Sequence, residues 1–167
     1  MKILILSADN FEDSELLAPY YRFLEEGWQV VIASINKGII KGKHGYEIEA
    51  VKSFGEVDPG NYDMVLLPGG KAPEAIRKEQ AALDIVRHFF ASDKPLAAIC
   101  HGPQTLITAG LLKGRRATCS KSVAQEMRDS GALYEDSEVV VDGNFITSRK
   151  PSDIPAFMRE IMKKIKK

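Results

Sequence analysis

The strongest constraint on this chain is the alternation of short, unbroken apolar runs with stretches of helical period. Residues 3–6, Met64–Leu67 and Leu96–Ile99 are continuous apolar runs of strand length. A strand facing water on one side alternates; a strand buried on both faces does not, so these runs predict a parallel sheet covered on both sides. Between them, Leu16, Leu17, Tyr20, Tyr21 and Leu24 follow helical spacing up to Gly27, and Ile85, Val86, Phe89 and Phe90 form another stripe. Residues 28–33 read as a second strand, and 46–51 alternate weakly, as an edge element does. Helices are expected over 103–112 and 123–127, the latter closing near Gly131. Residues 139–141 and 145–147 flank Asp142-Gly143-Asn144, a hairpin signature. Ile154, Phe157, Met158, Ile161 and Ile165 make a final helical face, and 54–62 read as a turn-rich loop. The pattern predicts an α/β sandwich on a mostly parallel sheet.

At 167 residues the chain suits one domain, 1–167, able to bury a core without disulfide or metal staples. Its 44% hydrophobic and 28% charged residues exclude disorder and collagen-like classes. Lys and Arg balance Asp and Glu at 23 each, which argues against nucleic acid or an anionic membrane as partner. Lys163, Lys164, Lys166 and Lys167 cluster at the end, where they complement the negative pole of a last helix. No run approaches a membrane span and no signal peptide is evident, so a cytoplasmic protein is expected. Two cysteines, Cys100 and Cys119, fit a reducing compartment.

Several motifs fail on inspection. The segment 38–44 has the wrong glycine spacing for a phosphate loop, and no GxGxxG follows the first strand. His44, His88 and His101 lack zinc spacing, so neither metal nor cofactor is expected. The informative stretch is 94–103, where a buried strand runs into Cys100-His101-Gly102-Pro103. A sharp strand-to-helix turn of this kind presents one side chain above the sheet, as in a nucleophile elbow, although Ala98 replaces the usual preceding glycine. A helix N-terminus beside the sulfur favours thiolate. A core cysteine is the plain alternative, but an adjoining imidazole and tight turn suit core filling poorly. Glu12, after the first strand, is the candidate carboxyl to face the thiol, with Asp13 and Glu15 complementing their helix end. Pro68-Gly69-Gly70 either brings a backbone N–H to a ligand or makes an ordinary turn.

Four ordered motifs, 98–103, 11–13, 67–70 and 147–149, resemble those of the PfpI family of intracellular proteases. That family lies within the class I glutamine amidotransferase-like superfamily, with the Parkinson-disease-associated deglycase. The resemblance implies a flavodoxin-like three-layer fold and a homo-oligomer, from dimer up to hexamer. It implies Cys100 as nucleophile, His101 beside it, and Glu74 of a neighbouring subunit completing a triad. Glu12 matches the glutamate that bonds the thiol, and the backbone N–H groups of Gly70 and His101 match an oxyanion hole. Arg149 is a candidate to hold a substrate carboxylate or an interface acid, with surface pairing as the alternative. The implied function is a cysteine peptidase acting on peptides or amides. The alternatives are a glyoxalase or deglycase acting on methylglyoxal or its adducts, or a redox-sensing thiol. Where relatives often carry an aromatic residue after Ala-Thr, this chain has Cys119-Ser120, and Cys119 is a bystander or a resolving thiol.

Overall fold

A computed structural model describes residues 1–166. Its elements are β1 (Lys2–Leu6), α1 (Asp13–Glu25), β2 (Gln29–Ser34), β3 (Gly38–Lys41), β4 (Glu47–Ala50), β5 (Lys52–Ser53), β6 (Met64–Leu67), α2 (Ala72–Ile76), α3 (Gln80–Ala91), β7 (Leu96–Ile99), α4 (Pro103–Thr108), β8 (Arg116–Ala117), α5 (Ala124–Asp129), β9 (Leu133–Tyr134), β10 (Val139–Asp142), β11 (Phe145–Ser148) and α6 (Ile154–Ile165). Seven strands form the main sheet in the order β10-β11-β7-β6-β1-β2-β5. All its pairs are parallel except the β10–β11 hairpin, which closes at Asp142↔Phe145. The mostly parallel α/β architecture is thus the expected one.

The crossover β1-α1-β2 runs toward one edge and β6-α3-β7 toward the other. Right-handed connections then put α1 and α3 on opposite faces of the sheet. Accordingly α1 touches α6, while α3 packs on β6 and β7 and touches α4. Every residue of β6, β7 and β11 is buried, as strands between two helical layers are, including Thr147 and Ser148 of β11.

Three expectations need correction. Residues 46–51 do not edge the main sheet: β4 pairs with β3 in a separate ribbon, and the edge is the two-residue β5. The α4 helix ends at Thr108, because the chain turns at Gly110, where φ is 77°. The stripe assigned to α1 is rotated. Its buried residues are Glu15, Leu16, Pro19 and Phe23, while Tyr21 and Leu24 are exposed. Of the terminal lysines, Lys166 pairs with Glu26 at 2.8 Å, Lys163 with Glu160 at 2.7 Å, and Lys164 donates to the Gly143 carbonyl. Lys167 lies outside the described residues. Among the described residues no helix is long and apolar enough to cross a membrane.

Candidate active site

The carboxyl ends of β1, β6 and β7 lie side by side, and each runs into a loop that the site uses. After β7, Cys100 adopts φ 63°, a left-handed conformation that side chains rarely take. The bend is fixed by backbone bonds on each side. Cys100 N donates to Ser148 O at 3.0 Å, Gly102 N to Ile99 O at 2.8 Å, and Ser120 N to Cys100 O at 2.9 Å. Adjacent side chains on an extended strand diverge, but this bend brings His101 Nδ1 to 3.2 Å from Cys100 Sγ. The elbow read from the sequence is therefore present in geometry.

After β6, Gly70 takes φ 82°, and a Cβ there would lie 2.4 Å from Glu12 N. A Cβ on Gly69 would lie 2.5 Å from Glu15 Oε1 and 2.7 Å from Cys100 Cβ. The two glycines thus let the backbone pass between α1 and the thiol. The backbone N–H groups of Gly70 and His101 and the Ser120 hydroxyl lie on the sulfur's side and favour its charged form, against the burial that disfavours it.

The carboxyl against the thiol is Glu15, which corrects the expectation for Glu12. Glu15 is fully buried on α1; Oε1 accepts from Gly69 N at 3.0 Å, and the carboxyl contacts Cys100. Among the described residues its Oε2 finds no hydrogen-bond partner. Burial first, and then the charge of Glu12, push its pKa up to about 8, so at neutral pH it holds its proton. Glu12 instead pairs with Lys43 at 2.5 Å and with His44 at 3.4 Å, both from the turn between β3 and β4. Helical geometry explains the exchange. Glu15 shares the inward stripe with Leu16, Pro19 and Phe23, whereas Glu12 precedes the first turn.

Burial, followed by repulsion from Glu15, raises the Cys100 thiol to about 12. The repulsive part vanishes while Glu15 is neutral. Burial and then the charge of Lys43 lower the His101 imidazole. With both charged forms disfavoured, the resting pair is a neutral thiol donating to a neutral imidazole. The second ring nitrogen, Nε2, lies 3.0 Å from Ser122 Oγ.

Cys100 and His101 open into a cavity of about 430 Å³, whose walls include Lys43, Lys71, Glu74, Gln104 and Ser122. Glu74 is exposed there, and among the described residues the hydrogen-bond partners of the His101 ring are Cys100 and Ser122 rather than an acid. Arg149 lies outside this cavity. It bonds Asp153 through two nitrogens at 2.8 and 3.1 Å and Asp136 at 3.0 Å, so it is committed to surface pairing rather than to substrate. Cys119 is fully buried, and its thiol is raised to about 12 by burial, as befits a core cysteine.

Residues 1–164 match the model of the DJ-1/PfpI family. The chain is 51% identical to "Deglycase PfpI" of Pyrococcus furiosus over 166 residues, 99% of this chain and 100% of that protein. It is 41% identical to "Protein/nucleic acid deglycase 2" of Escherichia coli, covering 97% of this chain and 96% of that one. Among solved structures, a two-domain protein of Anabaena variabilis with DJ-1/ThiJ/PfpI-like and ferritin-like domains superposes with a TM-score of 0.96 at 35% identity. That match covers 98% of this chain, which spans about half of the two-domain protein, 48%.

Proposed function

The chain belongs to the DJ-1/PfpI family, and from that premise we propose that it is a cysteine-dependent deglycase, releasing lactate from methylglyoxal or from its early adducts on amines and thiols. One observation carries the proposal. A thiol and an imidazole 3.2 Å apart line one small cavity, and a buried carboxyl titrating near 8 lies behind the thiol. A carboxyl with a pKa close to neutrality both takes and returns a proton, as the transfer of a C–H proton to a neighbouring carbon requires; amide hydrolysis moves protons only between heteroatoms, a task the imidazole alone can serve.

The steps follow from placement. Cys100 Sγ adds to the aldehyde carbon while its proton passes to His101 Nδ1, giving a hemithioacetal. The developing oxyanion sits toward the N–H groups of Gly70 and His101. The protonated Glu15 carboxyl gives its proton to the ketone oxygen and takes the C–H hydrogen as a proton, forming an enediol. It then delivers that proton to the former ketone carbon while the first oxygen gives its proton to His101, which hands it back to Glu15, and a lactoyl thioester is left. Water then cleaves the thioester to lactate and restores the thiol. In an amine adduct the same sulfur displaces the amine, which leaves with a proton. No outside oxidant or reductant is required.

The sequence alone puts a peptidase first. Relatives named deglycases at 51% and 41% identity support the aldehyde chemistry better. Assembly into an oligomer, with Glu74 of one copy meeting His101 of another, stands as a proposal resting on Glu74's exposed place on the cavity wall.

The test sets lactate release from methylglyoxal and from a methylglyoxal-treated lysine peptide beside cleavage of fluorogenic peptides, with Cys100→Ala as the blank. Lactate release above that blank, with peptide cleavage no higher than in it, is the expected result. Thiol-dependent peptide cleavage without lactate would overturn the reading in favour of the peptidase.

A further inference from the structure

One wall of the cavity is tied together by a chain of side-chain bonds across three helices. Gln104, in the first turn of α4, lines the cavity with Cys100 and His101, and its backbone N–H donates to His101 O at 3.0 Å. Its side-chain Nε2 donates to Glu126 Oε2, on α5, at 3.2 Å. The other Glu126 oxygen is bonded by Arg77, at the end of α2, whose Nε donates to Thr108 Oγ1 at 2.8 Å. The bond from Arg77 holds the Glu126 carboxyl below its ordinary range, so at neutral pH it is a carboxylate. A carboxylate accepts and cannot donate, so the Gln104 amide meets it through nitrogen alone. Nε2 is thereby committed. Among the described residues no hydrogen bond ends on Oε1, and Gln104 is only half-buried, so the cavity wall carries an oriented amide with a free acceptor. Donors line the same cavity: the ammonium groups of Lys43 and Lys71, and the backbone at Gly70 and His101.

We propose that Gln104, its amide oriented by Glu126, determines specificity: Oε1 accepts the N–H of a nitrogen carried by the carbon that Cys100 attacks. The inference rests on Cys100 as the nucleophile of the proposed function, and it narrows the substrates to adducts on amines ahead of those on thiols. A methylglyoxal adduct of a primary amine carries an oxygen and an N–H on one carbon. The oxygen turns to the N–H groups of Gly70 and His101, and the nitrogen to Oε1. The matching thiol adduct has sulfur in that place and no donor, so Oε1 gives up water without gaining a bond. A site that bonds an N–H rejects the analogue without one for this reason.

Glu126 acts through Gln104 and is a positioning residue. The competing acceptor is Glu74, whose carboxylate lies on the same lining and is exposed. It bears a charge on a free side chain, whereas the Gln104 amide is fixed at both ends, by the elbow carbonyl and by Glu126.

The test acylates the whole protein with two agents of the same shape, p-nitrophenyl N-methylcarbamate and methyl p-nitrophenyl carbonate. In either, Cys100 Sγ bonds to the carbonyl carbon, the thiol proton passes to His101, and p-nitrophenolate leaves with the electron pair of its C–O bond. The two differ in having N–H or oxygen on the attacked carbon. Nitrophenolate release, with Cys100→Ala as blank, gives each rate, and peptide mass spectrometry confirms the label on Cys100. Dividing by the rate with glutathione cancels intrinsic reactivity. The wild type is expected to favour the carbamate by about three- to tenfold on this scale, the worth of one neutral hydrogen bond. Gln104→Leu abolishes the preference, and Glu126→Gln, whose amide meets Gln104 either way round, reduces it. A merely structural disturbance slows both agents together and leaves their ratio unmoved. An unchanged ratio in both variants would overturn the proposal, as would a wild type that shows no preference for the carbamate or no reaction with it. So would a ratio that falls only with Glu74→Gln, which would give the N–H to that carboxylate. Lactate release plays no part in this readout, so failure of the isomerisation and failure of this inference are told apart.

Discussion

Cys100→Ala is expected to lower lactate release by at least about 10³-fold, because Cys100 is the thiol of the cavity and an adduct on Lys43 or Lys71 would not give the thioester that water cleaves. Among the described residues the second thiol, Cys119, is fully buried and cannot substitute. The same position also bears on stability. Its φ of 63° costs an ordinary side chain about 1–2 kcal/mol, whereas glycine accepts it freely. Glycine also loses more freedom on folding, which returns part of that difference. Cys100→Gly is therefore expected to exceed Cys100→Ala in stability by about 1 kcal/mol while both are inactive. Urea unfolding of the two variants checks this. Equal midpoints would mean that the elbow is unstrained, and that its shape follows from packing alone.

Glu15→Gln is the second large effect, and it has two readings. Removing the proton carrier should reduce lactate release by about 10²-fold or more, even though the thiol stays in place. The stability reading depends on pH. The carboxyl titrates near its ordinary value of 4.5 when unfolded and at about 8 when folded. Below 4.5 both states are protonated, and the stabilisation from the bound proton is fully present. Between 4.5 and about 8 only the unfolded chain ionises, which costs the fold about 1.4 kcal/mol per pH unit, and above 8 the loss levels off. Glutamine carries no such titration. The stability of Glu15→Gln relative to wild type should rise by a few kcal/mol between pH 5 and 8. Unfolding curves that stay parallel across that range would place the carboxyl in a far wetter setting than its burial indicates.

How much of this was legible depended on what kind of signal each part gave. The strands β6 and β7 declare themselves because burial on both faces leaves no polar position in Met64–Leu67 or Leu96–Ile99. The strand β5 does not, because Lys52 and Ser53 join the sheet through backbone bonds and carry no apolar signature. The ribbon of β3 and β4 leaves Ile39 exposed, so its pattern misreports its surroundings. At the site, Cys100, His101 and Gly70 were readable from turn chemistry. Glu15 was missed for a specific reason. The apolar residues of α1 suggested a face through Tyr21 and Leu24, which are exposed, and Glu15 falls outside that face. The signal lay in Leu16, Pro19 and Phe23, whose spacing also marks out an inward stripe with a carboxylate at its head. Ser122 left no trace, because a serine in a polar segment becomes informative only when the fold carries it to an imidazole.

The bond from Cys100 N to Ser148 O has a consequence for biosynthesis. β11 lies beside β7 in the sheet, so the strand that ends in the nucleophile waits for a neighbour made much later. While the ribosome is still translating the segment before β11, the thiol exists but the bend that aims it is held on one side only. The elbow is thus finished late in synthesis, and a chain cut short before Ser148 carries a cysteine without its geometry. Reactivity of that sulfur during translation would serve as a clock for the docking of the last hairpin.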